Sequence, residues 1–447
     1  MSSTSAPRGS ETSRRPPRLA RAFLILGCFL IGVGAVNVLA TEWSLVTGEG
    51  LDFDLNFVAA HRLVDGAPLY DRPASRAEAI RLVGPEMAST NREPFYSFIG
   101  PPTTALVYAP FVGLDAGDAI DVWRVLSALL MVGAIALAAG ALPRGSRLPA
   151  ASIGVGALLL SSPVARSIGN GQVDGIVMVG IALGFWAAAR ERWGLAGVGL
   201  GAAAVLKISP VLLVVYLVAR GKIRAGVAAA ATAAGLVVAA GLFGRPGEIF
   251  TWARDVVPDV ARASTNVENV SVPAWFARML STSNDLLSHT PILQQWRALG
   301  VGAAVALLAG VWWRRRADAV VPLELAVVVL VALLAGPLTW DHYASWAVLA
   351  IVVLADASRW SQWSVRQRWV AGITGAVGLL LLRVGTQYVS PERVASHPLW
   401  KVASGAKTCG LLVILGLALW ALLSAPSSPP SGSVDAAPTE PERVGRP

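Results

Sequence analysis

The chain has 447 residues, 54% of them hydrophobic and only 15% charged, with a mean hydropathy of +0.58. A soluble enzyme carries about 25% charged residues and does not repeat apolar runs of about 17–25 residues from end to end, so composition excludes one and points to a polytopic membrane protein. The net charge of +9 does not indicate a nucleic-acid binder either, because the arginines sit in short segments between apolar runs, the pattern that orients helices in a bilayer. Cys28 and Cys409 both fall inside apolar runs, which argues against a disulfide framework or a cysteine metal site.

Residues 1–21, rich in Ser, Pro and Arg, and residues 425–447, rich in Pro, Ser and acidic groups, read as disordered cytoplasmic tails around a transmembrane domain over residues 22–424. Arg14, Arg15, Arg18 and Arg21 precede the first apolar run, Ala22–Ala40, and place the N-terminus in the cytoplasm. Residues 41–118 carry eleven acidic groups against five arginines and read as a large extracytoplasmic loop. Spans near Val122–Ala141, Pro149–Pro163 and Val173–Ala189 then alternate, leaving Arg144 and Arg147 inside, Arg166 to Gln172 outside, and Arg190 and Arg192 inside. Gly194–Ala219 has inside-type charge at both ends; a break at Lys207-Ile208-Ser209-Pro210 turns it into a hairpin whose tip faces outward. Ala225–Phe243 leads to a second outer segment, residues 244–297, and Ala298–Trp313 returns to Arg314-Arg315-Arg316. Val320–Ala335, Tyr343–Ala355, Val370–Tyr388 and Thr408–Leu423 complete the alternation, with Pro337 to His342 and a loop through Lys407 outside and the C-terminus inside. The expected fold is an all-α integral membrane bundle of about twelve spans, within a range of about 10–13.

Four polar stretches thus fall on one outer face: the acidic loop, Arg166 to Gln172, the Lys207 tip, and Trp340 to His342. Polar groups at membrane depth are functional candidates, and their convergence favours one site. Asp52 and Asp54, in Gly50-Leu51-Asp52-Phe53-Asp54, are candidate general bases for an attacking hydroxyl, although helix capping is the ordinary reading of a single Asp. No second carboxylate cluster accompanies them in sequence; no metal ligand is assigned and no cofactor is expected, with a divalent metal left open. Lys207 ends an Ala-rich apolar run and needs an anion. A lipid phosphate suits it, with Arg166 assisting and Asn170 and Gln172 supplying hydrogen bonds; snorkelling to the interface is its structural reading. His342 can bond phosphate or sugar, or share a proton with Asp341. Trp340, Tyr343 and Trp346 suit either a sugar-stacking face or an aromatic belt. Asn269-Val270-Ser271 matches a glycan-acceptor sequon and is read as coincidence. Nucleotide-binding motifs are absent from the sequence, which argues against nucleotide hydrolysis.

Several of these stretches, in order, give the chain a resemblance to the glycosyltransferase 87 family of polyprenyl-phosphate-mannose-dependent mannosyltransferases of actinobacteria. Asp52-Phe53, Ala59-Ala60 and Gly66-Ala67-Pro68-Leu69-Tyr70-Asp71 resemble its first-loop pattern. Phe95-Tyr96, Pro101-Pro102, Ala109-Pro110-Phe111, Gly169-Asn170-Gly171-Gln172, Lys207-Ile208-Ser209-Pro210 and Pro337 through Trp340 to His342-Tyr343 continue the series. The resemblance covers Leu51 to Tyr343; the long stretch between Asp71 and Phe95, and Gly336 where Ser is commoner, depart from the pattern.

The resemblance implies a GT-C fold, a site on the extracytoplasmic face, and mannose transfer with inversion from polyprenyl-phosphate mannose to a mannoside in a cell-envelope glycolipid or glycan. Within it Asp52, or second Asp54, is the base; Lys207 and Arg166 hold the departing phosphate; His342 assists; and Asn170, Gln172, Trp340 and Tyr70 contact the substrate. The partners are then the lipid-linked donor, the acceptor and membrane lipids, with no nucleic acid. Two other readings stand beside this one: the same fold using another lipid-linked sugar such as arabinofuranose, and a lipid-linked-sugar transporter or flippase. The sequence shows no internal repeat of the kind common in transporters, and a purely structural role leaves Lys207 unexplained.

Overall fold

The computed structural model describes residues 18–47, 50–84, 98–260, 265–280, 291–316, 321–336, 338–384, 393–394 and 397–424. Residues 1–17 and 425–447, parts of both outer segments, and the motif residues Phe95-Tyr96 and Pro337 lie outside the described residues. Among the described residues the chain is helical, and the sole β pairing is an isolated antiparallel bridge between Asn269 and Trp340.

The first helix, α1 (Arg18–Asn37), begins inside the expected tail, so Arg18 to Arg21 are already helical, and it runs on through a π-helical turn at Val38–Glu42. The expected outer loop is itself helical in large part: α2 (Leu51–Val64), α3 (Arg72–Leu82) and α4 (Pro102–Tyr108). Asp71 caps α3 by accepting the Ala74 amide, with Pro73 in the first turn. Next come α5 (Ala116–Gly140), α6 (Arg144–Leu160) and α7 (Ser162–Gly169). Extended backbone at Ser161 and Pro163 just after it break the α6–α7 run, and the two helices are bent by 69°. Arg166 to Gly169 are therefore the end of a helix rather than a loop.

The stretch after α8 (Asp174–Ala188) divides at Lys207–Pro210 into α9 (Trp193–Leu206) and α10 (Val211–Ala219). At the tip of this pair Lys207 is buried while Ile208 beside it is exposed. Then follow α11 (Ile223–Phe243), α12 (Val272–Leu280), α13 (Pro291–Arg315) and α14 (Pro322–Ala335). A 3-10 turn at Asp341–Trp346 leads into α15 (Ala347–Leu354), before α16 (Val365–Arg383) and α17 (Ala406–Leu423). Lys407, expected in a loop, sits in the first turn of α17 and is buried.

Four helices, Arg18–Glu42, Ala116–Gly140, Ile223–Phe243 and Ala406–Leu423, are each long and apolar enough to cross a membrane, and the bent α6–α7 pair makes a fifth. Shorter apolar helices such as α8, α9 and α14 reach only about 20–23 Å at 1.5 Å per residue, below the hydrocarbon thickness of about 30 Å. α8 and α14 are mostly buried within the bundle. Every residue from Leu323 to Leu334 of α14 is buried, as expected of a helix that is apolar all round. Its single carboxylate, Glu324, is met by Arg220, by the Tyr216 hydroxyl at 2.7 Å and by Arg315 at 3.6 Å. The outer helices expose Phe29, Val227, Leu242, Leu299 and Ile373, the surface a lipid solvent favours.

Close approach of backbones holds this bundle together. Gly197 and Gly201 of α9 face α11 so tightly that a Cβ on either would overlap the Ala225 or Ala229 carbonyl, the small-xxx-small arrangement of membrane helix pairs. Gly201→Leu is expected to cost about 1–3 kcal/mol through overpacking, read as a lowered thermal midpoint in detergent; Gly235→Ala on α11, where a Cβ meets open space, is the control that leaves the midpoint in place.

Candidate active site

The site forms where three breaks in helical structure meet the start of α2. Gly50 precedes α2, so Asp52 occupies its first turn. The next amide, Phe53 N, donates to Asn170 O at 2.8 Å, pinning α2 to the turn after α7. That turn is built around Gly171, whose φ is +66° and whose absent Cβ would lie 2.5 Å from Phe53 Cβ; the left-handed backbone and the contact both require glycine. The Tyr108 hydroxyl donates to Gly171 O at 2.6 Å and Trp123 Nε1 to Gln172 O at 3.3 Å, while the Phe53 and Tyr108 rings pack edge to face. With the backbone so held, Asn170 Nδ2 donates to Asp52 Oδ2 at 3.1 Å and the Gln172 side chain bonds the same carboxylate.

Gln172 links this carboxylate to the cations. Lys207 Nζ lies 3.2 Å from Gln172 Oε1, 3.0 Å from Asp174 Oδ1 and 3.7 Å above the Tyr343 ring. Asp174 is fully buried at the start of α8 and also accepts Ser167 Oγ at 2.8 Å and Trp346 Nε1 at 3.0 Å. His342 Nε2, a buried nitrogen of the cluster, is 4.0 Å from Asp174 Oδ2 and is left without a hydrogen bond among the described residues.

A second group of charges adjoins the first. Arg166 Nε lies 3.3 Å from Asp341 Oδ2, and its Nη1 bonds Glu268; Lys407 Nζ donates to Asp341 Oδ2 at 2.8 Å. Residues 265–280 are brought here by a splice to the strand-like residues before Asp341. Val270 N donates to Thr339 O at 2.8 Å, and Asn269 Oδ1 accepts Thr339 N at 3.1 Å. Arg278 closes the segment from behind, donating to Asn269 O at 2.9 Å and to Ser404 Oγ at 3.0 Å. Asn269 is buried and bonded on this account, so the sequon is no glycan acceptor in the folded chain.

Asp52, Asn170, Gln172, Lys207, Arg166 and His342 are thus brought together. Trp340 directly precedes Asp341 at the bridge to Asn269. Asp54 lies two residues on from Asp52, about 200° around the helix, and Asn170 and Gln172 address Asp52. Tyr70 stands apart: it stacks on Phe98 with ring centroids 5.7 Å apart and donates to Gly100 O at 2.8 Å, within a separate apolar cluster. Sequence reasoning passed over Asp174, Glu268 and Lys407. The rule that singled out Lys207, an ionisable group in an apolar run, applies equally to Asp174 at the head of its apolar helix. The described residues hold no group of His, Cys, Asp and Glu arranged to bind a metal ion.

Electrostatics follow from burial. α2 lies outside the candidate spans, yet burial pushes the Asp52 carboxyl above the usual carboxylate range, against the opposing pull of Gln172, Lys207, Asn170 and Arg166. Burial, followed by the charge of Asp341, pushes Glu268 up as well. Asp174→Asn leaves the Lys207 ammonium buried without its carboxylate, a loss of about 3–5 kcal/mol for breaking a buried pair. The double variant Asp174→Asn/Lys207→Met is expected to regain most of that stability in thermal unfolding while losing any anion binding that depends on Lys207.

Residues 98–337, more than half of the chain, match Glycosyltransferase family 87. The chain is 25% identical over 406 residues to a Mycobacterium tuberculosis polyprenol-phosphate-mannose-dependent alpha-(1-2)-phosphatidylinositol pentamannoside mannosyltransferase, covering 89% of this chain and 85% of that protein. It is 24% identical over 453 residues to a phosphatidylinositol mannoside mannosyltransferase of the same donor type from M. tuberculosis, covering 95% and 96% of the two chains. A similarly named Mycolicibacterium smegmatis protein is 24% identical over 450 residues, 93% of each. Because this family model covers more than half of the chain, including the Gly169–Gln172 and Lys207–Pro210 stretches of the buried polar cluster, the chain belongs to glycosyltransferase family 87.

Proposed function

We propose that the protein transfers mannose from polyprenyl-phosphate mannose to a mannoside of a cell-envelope glycolipid, on the extracytoplasmic face of the membrane and with inversion at the anomeric carbon. The relatives' names all specify a polyprenol-phosphate-mannose donor and a phosphatidylinositol mannoside acceptor, which supports this reading over arabinofuranose or transport. A GT-C-type bundle of about twelve spans over residues 22–424 with both termini cytoplasmic agrees with it, residues 41–118 and 244–297 being the extracytoplasmic segments.

One observation carries the mechanism. The Asp52 carboxylate is oriented by Asn170 and linked through Gln172 to Lys207. A lipid-linked donor has its electrophilic carbon bonded to a phosphate oxygen, so base and cations must flank one carbon, and this cluster holds both. Asp52 takes the acceptor hydroxyl proton as that oxygen forms its bond to the anomeric carbon. The carbon–oxygen bond to phosphate breaks, its electron pair leaving with polyprenyl phosphate. Lys207 and Arg166 stabilise the charge that grows on the leaving oxygen. His342 Nε2 bonds a phosphate or sugar oxygen. Opposite-face attack converts a beta-linked donor into an alpha-mannoside.

Purified protein in detergent, given labelled polyprenyl-phosphate mannose and a phosphatidylinositol mannoside extract, is expected to form labelled glycolipid. Asp52→Asn should lower turnover by at least about 100-fold, the usual scale of general-base catalysis, while donor still binds. Lys207→Ala should raise the donor KM as well as lowering turnover. Because the base acts when deprotonated, activity should rise with pH through an acid limb centred above about 3.9, the unperturbed Asp value. Full activity of Asp52→Asn, or an acid limb unchanged in that variant, would remove Asp52 from the role.

A further inference from the structure

Each cation of the cluster already faces a carboxylate before any ligand arrives. Lys207 faces Asp174, and Arg166 and Lys407 face Asp341 and Glu268, with the Asp52 carboxylate alongside. An entering phosphate therefore finds no cation without a carboxylate, and one carboxylate must yield. Asp174 is 0% exposed and fixed by Ser167, Trp346 and Lys207 together. Asp341 is also 0% exposed and lies between Arg166 and Lys407. Glu268 differs from both: its side chain is 35% exposed, and Arg166, 19% exposed, is its ion-pair partner. Its backbone is anchored, with the amide donating to Asn266 Oδ1 at 3.0 Å, so its carboxylate can swing without dismantling the segment.

We propose that Glu268 is a resident anion on Arg166, displaced by the phosphate of the lipid-linked donor on binding and returning to the guanidinium as polyprenyl phosphate leaves. This rests on the proposed function and assigns to it a residue that tunes phosphate affinity. Arg166 keeps Asp341 on Nε throughout, and its Nη1 edge is the exchangeable one. A phosphate oxygen and a carboxylate oxygen place equivalent acceptors on that fork. The exchange matters most at the end of turnover, because the departing phosphate carries more charge than the donor phosphodiester and is held more tightly by the same cations. A carboxylate competing for Arg166 shortens that hold.

The test uses the full-length protein in detergent and measures inhibition by a polyprenyl phosphate of defined length, together with the donor KM. Glu268→Gln keeps volume and hydrogen bonding while removing the charge. It should lower the inhibition constant about tenfold, equivalent to about 1.4 kcal/mol, and lower the donor KM; Glu268→Ala should shift both in the same direction. In an Arg166→Gln background the Glu268 substitution should have no further effect, since coupling between contacting residues disappears with either partner. A merely structural Glu268 predicts the opposite, weaker phosphate binding and a lower thermal midpoint, and that result or an unchanged inhibition constant in an active enzyme overturns the assignment. A wild-type protein that neither transfers mannose nor binds polyprenyl phosphate instead overturns the proposed function on which the assignment rests.

Discussion

The buried ion pair between Lys207 and Asp174 is the constraint around which the rest of the site is arranged. A lone ammonium moved out of water into protein costs several kcal/mol even after relaxation, so Lys207 can occupy the break between α9 and α10 only if a carboxylate is already in place. Asp174 provides it at 3.0 Å. That carboxylate must in turn be satisfied, and Ser167 from α7 and Trp346 from the 3-10 turn converge on it. One pair therefore ties together α7, α8, the α9–α10 break and the segment carrying His342. The position of Asp52 is tied to the same pair, because Gln172 spans the gap between the lysine and the Asp52 carboxylate.

Two backbone splices bring distant sequence to this centre. The first joins Phe53 N to Asn170 O across the Gly171 turn; the second joins Val270 N to Thr339 O. Each makes a hydrogen bond between segments that are irregular on at least one side, where helix geometry leaves donors and acceptors unpaired. In a membrane protein such backbone persists only when buried in protein or lining a polar cavity. The breaks after Gly169, at Lys207 and after Gly336 are thus where charged and amide side chains gather: the helical ladder stops, and Asn170, Gln172, Lys207 and Asp341 find partners there.

Much of this was legible in the sequence, and the failures have identifiable causes. Charge bookkeeping located the break at Lys207–Pro210, because inside-type charge at both ends of an apolar run is incompatible with one crossing. The same rule says nothing about whether a break is solvated or enclosed, and Lys207 is enclosed. Hydropathy could not see that residues 51–64 form a helix, since α2 is short and its buried face, Phe53, Phe57, Ala60 and Leu63, interleaves with charged groups. Tyr70 entered through a motif that reads as a unit, but Leu69-Tyr70-Asp71 does packing and capping in this structure, with Leu69 in an apolar cluster and Asp71 on the α3 N-terminus. Glu268 and Lys407 escaped notice because their meaning is relational: each is an ordinary loop or interfacial charge until Arg166 and Asp341 are set beside it.

The two groups of charges are unequal in rigidity, and the difference follows from how each is built. Around Lys207 every polar partner comes from a helix end or a turn locked by backbone bonds, and an aromatic wall of Tyr343 stacked on Trp346 lies beneath. Preorganised dipoles of this kind cost no rearrangement when charge develops, which fits the role proposed for Lys207. Around Arg166 the partners come partly from the second outer segment, whose attachment to the core rests on the Asn269–Thr339 splice and the Arg278 clasp. Opening the half around Lys207 would break the Lys207–Asp174 pair at a cost of several kcal/mol. Opening the Glu268 side exchanges one anion on Arg166 for another and leaves no charge bare. On the proposed exchange Glu268 yields while the Asp52 to Lys207 half keeps its partners.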